Sequence, residues 1–143
     1  MNSRLEDIKA LFYFMVRLFR SKLIIYVVIS RNQLEMHNLK TGQTIKLRSE
    51  VPFSTNRLLI ANNMVAENLG KQIMNKICGR DLKLSPVFMI IHPLEVGFDD
   101  VSPVEKMIYN DFGTILGARE VIIEESLEKL NKESLVRIKD KYS

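Results

Sequence analysis

The sequence predicts an α/β fold in which a mixed sheet carries helices on both faces, in the order α-βββ-α-β-α-β-α. Three observations carry this. Residues 23–29 (LIIYVVI) form an unbroken apolar run of strand length, as a strand buried on both faces requires. Two shorter runs then alternate apolar and polar residues around turn-forming tetrads, the mark of a meander. From residue 62 onward, helical periodicity alternates with short apolar runs at 86–91 and 120–123, the pattern of helix-strand crossovers.

The first element is a helix over residues 4–20, with Ser3 as N-cap and Glu6 completing a capping box. Successive steps of about 100° place Leu5, Ile8, Leu11, Phe12, Met15, Val16, Leu18 and Phe19 on one wide arc. Lys9, Arg17 and Arg20 fall outside it, as does the apolar Phe14. Residues 1–22 hold Arg4, Lys9, Arg17, Arg20 and Lys22 against Glu6 and Asp7, a net +3 out of the chain's +4. This organises the chain as a basic amphipathic helix over residues 1–22 and one globular unit over 23–143.

The central strand at 23–29 runs into the tetrad Ser30, Arg31, Asn32, Gln33, after which Leu34 and Met36 alternate with Gln33, Glu35 and His37. A second turn at 40–43 leads to a third strand at 44–47. Residues 50–56, with Pro52, read as a loop. A helix capped by Asn62 or Asn63 follows, with Met64, Val65, Leu69, Ile73 and Ile77 at helical spacing and Gly79 where a C-terminal cap is wanted. Residues 86–91 are a second buried strand, closed by Pro93. Ser102, Pro103 and Glu105 then start a helix that is expected to bury Val104, Met107, Ile108, Phe112 and Ile115 before Gly117. A short strand at 120–123 and a final helix at 126–141, with Leu127, Leu130, Leu135 and Ile138 inward, complete the order. Glu128 with Lys132 and Glu133 with Arg137 support that helix at four-residue spacing.

Composition narrows the function. At 143 residues with 46% hydrophobic and 27% charged content, the chain is long enough to bury a core without staples. Cys78 is the only cysteine, so no intrachain disulfide forms, and His37 and His92 lie too far apart in sequence to suggest a metal set. No apolar run reaches the ~18 residues needed to span a bilayer, and no signal-peptide pattern opens the chain. The expected location is the cytoplasm, with peripheral contact at the inner face of the cell membrane as one use of the first helix. Beyond that helix the charge is nearly balanced and no basic stripe interleaves with aromatics, which argues against nucleic acid.

The element order matches ribonuclease H-like and actin-like folds, and three stretches then point further: LLIANNMVAENL at 58–69, LSPVFMIIHP at 84–93 and GAREVIIEES at 117–126. In order and spacing they resemble the first large subdomain of the bacterial actin homologue MreB, the rod shape-determining protein family. In that family the first stretch runs from a strand into a helix. The second carries Ser-Pro-Arg-Val in a strand ending in proline, and the third reads Gly-Ala-Arg-Glu-Val followed by Glu-Glu-Pro. The resemblance covers most of residues 23–126, and the third stretch is its most specific part.

Departures from the family pattern carry as much information. Actin-like ATPases place Asp-x-Gly-Thr-x-x-Thr in the first hairpin, where the acid acts through a divalent cation and the glycine lets backbone donors reach phosphate. Here Ser30, Arg31, Asn32 and Gln33 occupy that position, with neither carboxylate nor glycine. The resemblance also implies that the second large subdomain is absent and that residues 49–57 leave no room for the usual small insertion. Glu124 falls at the family's water-orienting position, where, without metal, phosphate loops or nucleotide, it has nothing to act on.

The expectation is therefore a non-enzyme that uses no cofactor and works by contact with a protein partner, with a second copy, or with the membrane. The first helix would supply the contact through Leu5, Ile8, Leu11, Phe12, Met15 and Phe19, flanked by Arg17 and Arg20. The MreB resemblance turns attention to the membrane, because some members of that family bind it through an N-terminal amphipathic helix; packing on the chain's own sheet or on a second copy uses the same face. The competing reading is a small ribonuclease H-like enzyme or nucleotide- or metal-binding domain with Asp99, Asp100, Glu124 and Glu125 as its acids. Two-ion chemistry wants a carboxylate on the opening strand, and residues 23–29 offer none. Ser85, His92 and Asp99 lack a nucleophile-elbow motif, and Cys78 near a helix C-terminus is not set up as a thiolate.

Overall fold

The computed structural model describes residues 2–19, 22–95 and 101–142. Among the described residues the elements run in the order α1 (Asn2–Phe19), β1 (Leu23–Ser30), β2 (Gln33–Asn38), β3 (Thr44–Arg48), α2 (Asn63–Cys78), α3 (Asp81–Leu84), β4 (Val87–Pro93), α4 (Pro103–Ile115), β5 (Ala118–Ile123) and α5 (Lys132–Tyr142). The five strands form one mixed sheet in the order β3-β2-β1-β4-β5. β1, β2 and β3 are successively antiparallel, whereas β4 and β5 run parallel to β1.

The apolar run at 23–29 is the middle strand, and each of its residues is buried. Alternation splits it between two cores. Leu23, Ile25, Val27 and Ile29 face a front core with Ala66, Ile73 and Ile77 of α2 and Tyr109 and Phe112 of α4. Ile24, Tyr26 and Val28 face a back core with Phe88 and Ile90 of β4, closed by Leu130 and by Leu135 and Ile138 of α5. Helices therefore cover both faces, as predicted.

Cap chemistry sets where the front helices start, and one bond from the sheet ties down the end of α2. The Asn62 side chain accepts from Val65 N at the start of α2, and buried Asn38 donates to Ile77 O at its end, 2.9 Å away. Ser102 and Glu105 form the full capping box of α4, with Pro103 in its first turn. At Gly113 a β-carbon would lie 2.5 Å from Val121 Cγ2, so the helix presses on the sheet where only glycine fits.

Several expectations need correction. The buried side of α4 is Tyr109, Phe112 and Gly113, with Ile108 half-buried, while Val104, Met107 (67% exposed) and Ile115 are exposed. The polar-looking Tyr109 and the bare Gly113 make the close contact, which turns the apolar arc away from its expected centre. Met64 of α2 is likewise exposed. The final helix begins at Lys132, not at residue 126, and Leu127 is 89% exposed. β5 starts two residues earlier than expected, and the short helix α3 carries no sequence periodicity long enough to reveal it.

Candidate functional site

Because β1, β4 and β5 are parallel, their C-terminal ends reach one edge of the sheet. Ser30, Pro93 and Glu124 lie along that edge, which is where open α/β sheets usually bind ligands. The tetrad at 30–33 is the tight turn joining β1 to β2, with Asn32 at φ 57°, a left-handed conformation that asparagine tolerates better than most residues.

The turn's backbone donors are spoken for. Arg31 N donates to Glu95 Oε2 at 2.9 Å, and Asn32 N donates to Ser54 Oγ at 2.9 Å. Asn32 Oδ1 in turn accepts from Phe53 N at 2.9 Å and Ser54 N at 2.8 Å, while Asn32 O accepts from Ser49 N at 2.8 Å. Gln33 Nε2 donates to Ser30 Oγ, and Arg31 Nη1 donates to Asn56 Oδ1. A carboxylate and a hydroxyl from neighbouring loops thus take the amides that a backbone cradle would aim at an anion. Sequence reasoning missed Glu95 and Ser54, since nothing local ties residues 95 or 54 to residue 31 or 32.

Glu124 stands just past β5, its N–H bonded to Ile91 O and its carboxylate accepting from Ser126 N at 3.1 Å. The side chain caps the turn that leaves the sheet. Glu125 pairs with Lys106 at 3.6 Å on the exposed surface. Asp99 and Asp100 lie outside the described residues. Among the described residues no group of three or more histidine, cysteine or acidic side chains is placed to hold a metal.

A buried polar chain lies under the back face. His92 is fully buried at the end of β4. Its Nε2 is 2.7 Å from Ser126 O and its Nδ1 is 2.6 Å from Tyr26 Oη. A carbonyl only accepts, so Nε2 carries the proton and Nδ1 accepts from the tyrosine hydroxyl. Tyr26 Oη accepts in turn from Leu130 N at 3.1 Å. Burial pushes the Tyr26 phenol above its ordinary value, opposed by that backbone hydrogen bond. His37 on β2 stands on the other side of Tyr26, with ring centroids 5.4 Å apart. Burial lowers its pKa, against the pull of Glu35. The two histidines, 55 positions apart in sequence, thus flank one tyrosine without converging on a metal.

Cys78 is buried at the end of α2, where desolvation, helped by the charge of Asp81, pushes its thiol up to about 12. Such a thiol is a poor nucleophile at neutral pH.

At the opposite end of β1, helix α1 meets the body mainly at α3. Leu5, Ile8, Leu11, Phe12 and Met15 are all exposed. Phe14 reaches a shallow cavity beside Ser85, Thr114 and Arg119. Arg20 and the side chains of Arg17 and Phe19 lie outside the described residues. Among the described residues no helix is long and apolar enough to cross a membrane.

No family model and no curated protein sequence matches this chain. Among solved structures it is similar to MreB5 of Spiroplasma citri bound to ADP. The TM-score is 0.50 and the sequence identity 17%, over 73% of this chain and 38% of that one. The fold is actin-like. The chain spans less than half the length of that neighbour, and at this identity the likeness is one of fold alone. Within the actin-like frame, the candidate site divides into a closed turn at one end of the sheet and an open apolar helix at the other.

Proposed function

We propose that this chain is a non-enzymatic, MreB-like interaction protein, corresponding to half of an actin-like ATPase on a ribonuclease H-like sheet. It acts by contact with itself, with an actin-like filament protein or with the membrane face, in a cell-shape or cytoskeletal role. The observation that carries the reading is the state of the first hairpin. MreB5 is described as bound to ADP, and actin-like ATPases hold phosphate and metal through an Asp and a Gly in this hairpin. In this chain the position has neither residue, and Glu95 and Ser54 already accept from its amides. An anion entering there would have to displace a carboxylate and would gain no metal ligand.

Exposed apolar side chains along α1 support contact as the mode of action. Titration with ATP and with ADP, each with magnesium, tests the reading by thermal unfolding. A ligand that binds the folded state raises the melting temperature by mass action; no rise is expected, and a saturable rise with either nucleotide overturns it.

A further inference from the structure

At the end of the sheet opposite the first hairpin, where β4 and β5 begin, lies a cavity of about 390 Å³. That size is at the small end of ligand pockets, which run roughly from 300 to 1,000 Å³. Its walls include Phe14 of α1, Ser85, Pro86 and Val87 at the start of β4, and Ala118 and Arg119 at the start of β5. Arg119 reaches it through a bulge. Val87 pairs with Ala118 and Phe88 with Glu120, so Arg119 is an extra residue in β5. The same insertion lets Ala118 and Val121, three positions apart, both face the front core, where strict alternation would put them on opposite faces. Bulges are uncommon between parallel strands, and they re-aim side chains; this one brings an arginine to the cavity wall.

Two donors here are uncommitted within the protein. Among the described residues the Arg119 guanidinium makes no hydrogen bond or ion pair. Ser85 is 3% exposed, and its hydroxyl likewise makes no hydrogen bond. A nearly buried hydroxyl without a partner is uncommon and costs free energy unless it reaches water or a ligand. Ser85 Oγ is not sealed off, so the exposure it keeps opens on the cavity that the residue lines. Thr114 lines the cavity too, but its hydroxyl proton goes to Asn110 O at 2.9 Å. The site therefore offers one positive charge and one hydroxyl, set against the hydrocarbon of Phe14, Pro86, Val87 and Ala118. That combination selects the ligand. An arginine fork matches the two oxygens of a carboxylate, and apolar walls favour a hydrocarbon body. A phosphate monoester would bring a second negative charge with no second cation among the described lining residues.

We propose that this cavity binds a small monocarboxylate with an apolar body. Arg119 takes the carboxylate in its fork, Ser85 donates to one of its oxygens, and Phe14, Pro86 and Val87 pack on the hydrocarbon. The site goes beyond the reading of the protein as one that acts by contact, and does not depend on it. Because Phe14 belongs to α1 and the other walls to the body, the bound acid also bridges the two.

The test titrates the full chain with octanoate and follows backbone amides by NMR. Saturable shifts centred on Ser85, Gly117 and Arg119 are expected, with a dissociation constant of about 0.1–1 mM for an acid of this size. Arg119→Gln, a change at an exposed position, is expected to weaken binding about tenfold or more, and Arg119→Lys to fall between, since lysine keeps the charge and loses the fork. Ser85→Ala is expected to weaken binding about threefold and to leave the melting temperature of the free protein unchanged, because the hydroxyl holds nothing in the fold. Octanol and inorganic phosphate are expected to leave these amides unmoved. No saturable shift at these amides, equal binding by Arg119→Gln, or a markedly lower melting temperature for free Ser85→Ala overturns the proposal. Octanol binding as tightly as octanoate would make the cavity an apolar crevice, phosphate binding as tightly would make it an unselective anion site, and either overturns it as well. The nucleotide titration reads the opposite end of β1 and is expected to be the same in Arg119→Gln as in the parent, so the two proposals fail separately.

Discussion

Tyr26 Oη lies 2.6 Å from His92 Nδ1, a hydrogen bond between neighbouring parallel strands whose residues are separated by 66 positions. Both side chains are fully buried, and both hold the segment that crosses the back of the sheet, Tyr26 through Leu130 N and His92 through Ser126 O. The pair ties this segment, whose residues 125–129 are exposed, to the core at its two ends. Lys129 adds an ion pair to Glu35 at 2.6 Å, though its exposure limits that contribution.

Removing the hydroxyl tests this bond. Tyr26→Phe leaves His92 Nδ1 without its donor and Leu130 N–H without its acceptor, each in a site of low water access. A loss of about 2–4 kcal/mol in urea unfolding is expected, together with faster amide exchange at Leu130. An unchanged unfolding midpoint would show that residues 126–130 are held by packing alone.

Alkaline stability reports on Cys78. In the unfolded chain a thiol ionises near 9.0, whereas burial delays this to about 12 in the fold. Between those values the unfolded chain gives up a proton that the fold retains. The stabilisation is therefore complete below pH 9 and is lost as pH rises toward 12, with a slope of about 1.4 kcal/mol per pH unit. Tyr26 and Tyr109, both raised by burial, act in the same direction at higher pH. Cys78→Ala should flatten the decline in stability between pH 9 and 11 relative to the parent.

Acid stability reports on His37, whose pKa burial holds below the ordinary 6.5. The fold favours the neutral ring. Stability from this group is present above pH 6.5 and is lost as pH falls through the lowered value. His37→Gln is expected to remove that part of the acid decline, read as the shift of the urea midpoint between pH 7 and pH 5. Equal shifts in parent and variant would count against it.

Gly113 packs α4 onto β5 with no room for a methyl group, since an added β-carbon meets Val121 at 2.5 Å and Ile91 at 3.2 Å. Gly113→Ala gains helix propensity, yet overpacking should outweigh it and leave a net cost of about 1–3 kcal/mol. Calorimetry should show a lower melting temperature, and a stabilised variant would disprove the close packing.

The turn at 30–33 depends on one side chain. Asn32 combines a left-handed backbone with an oxygen that accepts from Phe53 N and Ser54 N. Asp keeps the acceptor, Gly keeps only the backbone freedom, and Ala keeps neither. Stability is expected to fall in the order Asn, Asp, Gly, Ala, with Ala costing about 2–4 kcal/mol; Ala and Asp behaving alike would refute the role given to the oxygen.

How much of this was legible differs from element to element. The central strand announced itself because burial on both faces demands an unbroken apolar run, and Ser102-Pro103-Glu105 announced α4 because capping is chemistry among neighbours. The inward face of α4 was misjudged because Tyr109 and Gly113 earn their places by close fit to the sheet, which hydropathy does not record. Residues 126–131 carry helix-favouring residues, yet Tyr26 and His92 take the Leu130 amide and the Ser126 carbonyl, so the helix waits until Lys132. At the candidate site, the missing Asp and Gly of the hairpin were readable directly, whereas Glu95 and Ser54 as partners of its amides were not.

Local rules thus settled the kinds and order of the elements other than α3 and the amphipathic character of α1, because run length, periodicity and capping act within a few residues. The tertiary structure decided the pairing of Tyr26 with His92, the closing of the first turn by Glu95 and Ser54, and the exposure of α1. Each depends on groups brought together from distant positions, or on a face that the body leaves uncovered, and no short stretch of sequence contains that information.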